Sequence, residues 1–195
     1  MRTELDVVNS CLASMGQAPL LNLTRPNRVT LLALDYLSKM NRRAQLRGWW
    51  FNTFTKEVTP NATTYRVDDQ LPENMLSLRA APDHPSVTLR SPGILYTQDN
   101  EPVTYPIFLT FVVEIPFVGL PPVAQDAIEE RTVRSFSARI SGNAPTEQEQ
   151  DTLDSLTALM AEHIRNSNVN ILNRPELAQN LLYVRGSRPY LRYRS

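Results

Sequence analysis

A helical repeat that runs through K-M-N-R-R-A-Q-L-R, stops at Gly48 and passes straight into W-W-F-N constrains this chain more than any other stretch. Lys39, Arg43 and Arg47 recur every fourth residue and so share one helical stripe, with Arg42 beside them. Cations there suit the negative end of a helix, and Gly48 takes the left-handed conformation that ends one. Trp49, Trp50 and Phe51 follow at once, with Phe54 close behind. Burying four such rings would contribute several kcal/mol, at about 25 cal/mol per Å² of apolar area. Gly48, Trp49, Trp50 and Phe51 are therefore expected at a junction between two structural layers.

Helical spacing dominates both ends of the chain. Thr3 with Asp6 reads as a helix cap, and Leu5, Val8, Leu12 and Met15 repeat on one face until Gly16. A second helix is expected over 27–46, with Leu34, Leu37 and Met40 as its buried stripe. Pro121 and Pro122 suit the first turn of a third, along which Ala124, Ile128, Thr132, Phe136 and Ile140 follow at four-residue intervals until Gly142. Thr146 with Glu149 forms a capping box for a fourth, with Leu153, Leu156, Met160 and Ile164 on its apolar side and His163 and Arg165 at its end.

Between 54 and 119 the grammar changes to prolines and short runs of Val, Thr, Leu and aromatics, which is strand grammar. Strands are expected at 54–59, 64–67, 75–80, 87–90, 94–97 and 107–115. The last, I-F-L-T-F-V-V-E-I, is apolar enough for the centre of a sheet. The pattern predicts an α+β protein: a helical bundle from residues 1–53 and 120–167, a small antiparallel β domain inserted at 54–119, and an extended C-terminal arm at 168–195. The arm lacks periodicity and ends Y-V-R-G-S-R-P-Y-L-R-Y-R-S, without an acid. Tyr183, Arg185, Arg188, Tyr190, Arg192, Tyr193 and Arg194 suit a clasp on a neighbouring subunit. A disordered tail and a grip on nucleic acid are the alternatives.

Composition narrows the function. Twenty basic and twenty acidic residues cancel, so no global field draws a polyanion. Lys39 and Lys56 are the only lysines, and this arginine bias leans toward interfaces. One cysteine, Cys11, rules out an intramolecular disulfide and a multi-cysteine zinc site, and it reads as a small buried side chain. With two histidines, His84 in a turn and His163 at a helix end, no nucleophilic triad or H-E-x-x-H motif arises. Six glycines form no phosphate loop. The acid pairs Asp68-Asp69, Glu129-Glu130 and Glu147/Glu149 read as solvated surface. No enzyme, cofactor or metal is expected. No run approaches the roughly 18 apolar residues of a membrane span, and a protein made in a cytoplasm is expected.

The segments V-V-N-S-C-L-A-S-M-G-Q-A-P-L and N-R-R-A-Q-L-R-G-W-W-F-N together resemble the tail tubular protein A family of short-tailed bacteriophages. The family junction N-R-x-x-Q-x-R-G-W-x-F-N is met at Asn41, Arg42, Gln45, Arg47, Gly48, Trp49, Phe51 and Asn52. L-P-E-N-M-L-S, G-I-L-Y and L-P-P-V-A-Q-D-A-I resemble later landmarks in the same order. The Arg-Tyr terminus has no counterpart in that pattern. The resemblance implies a virion-tail adaptor: a dodecameric ring between the portal and the nozzle, tail tubular protein B, surrounding the DNA channel and helping to seat tail fibres.

On that reading Lys39, Arg42, Arg43 and Arg47 meet a neighbouring subunit or the portal, and Glu147, Glu149 and Asp151 supply the opposing charge. Two rivals stand beside it. One is a carbohydrate-binding or glycan-hydrolysing tail component with Asp68, Asp69, Tyr96, Asp99 and Tyr105 along a cleft. The other is a small DNA-binding protein that uses the basic stripe and the tail.

Overall fold

The computed structural model describes residues 2–24, 26–81, 84–141 and 146–166; the side chains at 141 and 146–153 lie outside that description, as does the arm expected at 168–195. Helices from both ends of the chain and small antiparallel sheets make an α+β fold. In chain order the main elements are α1 (Glu4–Ala13), α2 (Arg28–Gln45), β1 (Thr53–Val58), β2 (Met75–Ala80), β3 (Val87–Arg90), β4 (Ile94–Thr97), β5 (Ile107–Val113), α3 (Pro122–Ser141) and α4 (Thr146–Asn166).

The helix starts follow the sequence signals. The Asp6 N–H donates to the Thr3 hydroxyl at 3.2 Å and the Thr3 N–H to the Asp6 carboxylate at 2.8 Å, a reciprocal box at the head of α1. Asn27 caps α2 by accepting from the Thr30 N–H at 2.8 Å. The buried face of α1 is Val7, Val8, Cys11 and Leu12, so Leu5 and Met15 flank it. The expected α3 stripe holds through Ala124, Ile128, Thr132 and Phe136, but Ile140 is 45% exposed. Steps of four advance about 40° beyond a full turn each time, so the fifth position has rotated off the packed face.

One apolar cluster joins both ends of the chain: Val7 from α1, Leu37, Met40 and Ala44 from α2, Trp49, then Ala124, Ala127 and Ile128 from α3 and Leu159 from α4. A second fills the space between the sheets with Val58, Val67, Leu95, Val103, Ile107, Leu109 and Phe111.

β5 is central in the three-stranded sheet β1-β5-β2, as its apolar run requires, and β3-β4 form a separate hairpin. Thr53 pairs with Val112 and Val58 with Ile107 along β1-β5, and a bulge shifts β2 between Met75 and Ser77. The strand expected at 64–67 does not form. Asn61 turns the chain there by accepting from the Thr63 and Thr64 N–H groups, Tyr65 sits at φ +57°, and Arg66 alone makes a bridge, to Ile94. β5 ends at Val113, short of the expected 115, because the next backbone groups bond outside the ladder: the Glu114 N–H to Asn74 and the Ile115 N–H to Gln45.

Candidate interaction surface at the helix–sheet joint

The junction residues form a buried polar lock between α2 and the end of β5. Gln45 is fully buried. Its amide donates to the Asn41 side chain at 2.9 Å and to the Ile115 carbonyl at 2.8 Å, while its oxygen accepts from the Ile115 N–H at 2.8 Å. Asn41 donates to the same Ile115 carbonyl at 3.1 Å. Asn52 closes the turn by accepting from the Trp49 N–H at 2.7 Å and donating to the carbonyls of Gln45 and Val113 at 3.0 and 2.9 Å. A cluster satisfied on this scale fixes one relative placement of helix and sheet, since leaving any member unpaired is costly.

Gly48 makes the turn possible. It holds φ +74°, and a Cβ there would lie 3.0 Å from Val112 and 3.1 Å from the Thr53 hydroxyl. Trp49 is 5% exposed and donates its indole N–H to the Ala44 carbonyl at 2.7 Å. Its ring meets His163 of α4 edge-on at 5.3 Å. His163 also accepts from the Trp50 N–H at its Nδ1, 3.3 Å away. These contacts tie the end of α4 to the joint. Trp50 and Phe51 are partly buried and stack edge-to-face at 4.9 Å. Phe54 departs from expectation: it sits on the edge strand β1, leans on Phe111 and stays 42% exposed.

The four basic residues divide. Lys39 pairs with Asp35 one turn earlier, and Arg42 reaches Glu114 at 3.0 Å, a further tie between α2 and the segment after β5. Arg43 and Arg47 are exposed and make no ion pair among the described residues. Arg131, on the third helix, was not singled out by the sequence. It is partly buried, and its pKa is lowered by desolvation first and then by the charge of Arg47. Glu147, Glu149 and Asp151 belong to the first turns of α4, with side chains outside the described set. Tyr183, Arg185, Arg188, Tyr190, Arg192, Tyr193 and Arg194 lie outside the described residues altogether.

Glu129 corrects another expectation, because it is 4% exposed and not solvated surface. The Ser10 hydroxyl donates to it at 2.6 Å and the Arg2 guanidinium pairs with it, with Asp126 also on Arg2 at 2.9 Å. This clamp staples the head of α1 to α3. An acid spaced four residues from Gln125 on the packed face of α3 carried no sequence mark that α1 would bring it a cation. Cys11, fully buried nearby, has its thiol pushed up to about 12 by desolvation and then by the Glu129 charge.

No group of three or more His, Cys, Asp or Glu that could hold a metal lies among the described residues. A polar cleft of about 480 Å³ is lined by Thr59, Asn61, Thr64, Arg66, Asp68, Asp69 and Gln70. It contains the two aspartates of the glycan alternative but not Tyr96, Asp99 or Tyr105, and Arg66 already pairs with Asp68. Tyr96 instead lies beneath the Arg90 guanidinium, 4.8 Å from its ring centre.

What the geometry offers is a tightly bonded joint beside two cations, Arg43 and Arg47, without ion pairs among the described residues, and a comparison with known proteins gives the family. A family model described as Tail tubular protein matches residues 5–169. The chain belongs to the tail tubular protein family. The tail tubular protein A of Klebsiella phage KP34 is 27% identical over 169 residues, which cover 84% of this chain and 88% of that protein. The likeness carried by the junction motif is thus homology at modest identity, and it gives the chain a general structural role in a viral tail. No described helix is long and apolar enough to cross a membrane.

Proposed function

We propose that this chain is the adaptor subunit of a short phage tail, assembled with copies of itself into a dodecameric ring between portal and nozzle, around the DNA channel and bearing tail fibres. The observation that carries the proposal is the division of labour within one motif. Asn41, Arg42, Gln45, Gly48, Trp49 and Asn52 each have a partner or a steric role inside the chain, whereas Arg47 and its neighbour Arg43 make no ion pair among the described residues. A rigid joint that points unmatched cations outward suits a part that transmits load between neighbours. In this reading the helices from 1–53 and 120–167 form the ring body, the β part from 54–119 faces a partner, and the arm at 168–195 clasps the next subunit.

Charge reversal tests the contact. Arg43→Glu with Arg47→Glu should weaken ring or portal assembly far more than it lowers thermal stability, because neither arginine contributes an ion pair to the described fold. Lysines placed at Glu149 and Asp151 should restore part of the assembly. Parallel loss of assembly and stability, or no rescue, would contradict the intersubunit pairing.

A further inference from the structure

α2 and α3 bring guanidinium groups to both sides of one seam with no ion-pair partner among the described residues. The two helices run antiparallel, with Tyr36 edge-on to Phe136 at 6.3 Å between ring centres and the Ser135 hydroxyl 3.8 Å from the Met40 sulfur. Continuing that register by one to two turns brings Arg131 opposite residues 41–44, level with Arg43 and within about one turn of Arg47. Arg131 makes no hydrogen bond or ion pair among the described residues, although it is partly buried. Desolvation and the Arg47 charge both disfavour its charged form, yet a guanidinium stays protonated at neutral pH. The isolated chain therefore holds like charges together where water reaches only in part. An anion in the seam would relieve both penalties at once.

We propose that Arg47 and Arg131, with Arg43 at the rim, form a seat for a carboxylate carried by a neighbouring copy of this chain. The proposal rests on the ring reading above and names its contact. Two observations favour a protein carboxylate over a nucleic-acid backbone. Lys39 and Arg42, which would extend the seam into a cationic track, are neutralised by Asp35 and Glu114, so the excess charge is local. Exposed acids elsewhere on the same chain, Glu57, Glu73 and Glu101 among them, make no ion pair among the described residues, so a second copy can offer the missing carboxylate. Such complementarity between two different faces is what a head-to-tail ring contact requires. The planar fork of each arginine fits a carboxylate with paired hydrogen bonds.

The experiment compares the full chain with its Arg131→Gln and Arg131→Lys variants. Sedimentation velocity reads self-association, and thermal unfolding reads stability with and without citrate as a tricarboxylate probe, against chloride at equal ionic strength. The expected result is at least about a tenfold loss of self-association in Arg131→Gln, a smaller loss in Arg131→Lys, and an unfolding temperature unchanged or raised by relief of repulsion. Citrate should protect the natural chain more than chloride does, and Arg131→Gln should abolish the difference. Self-association unaffected by Arg131→Gln, or stability falling with it, would overturn the seat. So would equal effects of citrate and chloride on the natural chain at a dilution where it is monomeric and the seat is open. Loss of binding to a short DNA duplex with self-association intact would assign the seam to nucleic acid and overturn the carboxylate. A natural chain that self-associates neither alone nor with portal protein would overturn the neighbouring copy as occupant together with the ring reading, whatever citrate does.

Discussion

Gln45→Leu is the sharpest perturbation of the joint. Leucine fills nearly the same volume, so little of its effect comes from a cavity, and the change isolates hydrogen bonding. Two groups lose their partners: the Ile115 N–H, which donates to Gln45 at 2.8 Å, and the Asn41 side-chain oxygen, which accepts from it at 2.9 Å. The Ile115 carbonyl keeps Asn41, and Asn52 keeps the carbonyls of Gln45 and Val113. An orphaned buried group costs about 1–3 kcal/mol, and Ile115 is only partly buried, so the loss should total about 2–4 kcal/mol. Urea unfolding followed by tryptophan fluorescence would read it as a shift in midpoint at constant slope. Asn41→Ala should lose less when Gln45 is already leucine, since the two share Ile115. A loss under about 0.5 kcal/mol, or strict additivity of the pair, would refute the lock.

Trp49→Ala should destabilise by about 3–5 kcal/mol, the range for emptying a buried aromatic site, and a midpoint shift worth less than about 1 kcal/mol would place the ring at a surface. Glu129→Gln should lose about 1–3 kcal/mol in the same assay, because the charge-assisted bonds to Ser10 and Arg2 go while the half-exposed Arg2 re-solvates. The Asp6 carboxyl is held below its ordinary 3.8 by the Thr3 N–H first and the Thr3 hydroxyl second. A depressed carboxyl stabilises the fold above its unfolded value and ceases to as pH falls through the folded one, so Asp6→Asn should flatten the acid limb of unfolding temperature against pH below 3.8.

The elements were legible where one residue type has one physical job. The Thr3–Asp6 box, the apolar run of β5 and the stop at Gly48 each follow from a local rule, and the chain obeys it. The joint was legible as a place but not as a mechanism: W-W-F-N announced buried rings, whereas the lock is made by Asn41, Gln45 and Asn52, which the motif names but whose partners appear only when β5 arrives across the chain. Glu129 and Arg131 were missed for the same reason. Each lies on α3 among ordinary surface charges, and its significance comes from α1 or α2, more than 80 residues away in sequence for Arg131 and Arg47 and 127 for Glu129 and Arg2. Tyr65 shows the converse, since β-forming residues at 64–67 yielded to the stronger turn chemistry of Asn61.

The native mass of the purified full chain, alone and mixed with portal protein, tests the adaptor account most directly. The account predicts a closed ring of about twelve copies, formed alone or on the portal, that dissociates as salt screens the seam. A chain that stays monomeric in both samples at low salt would contradict it.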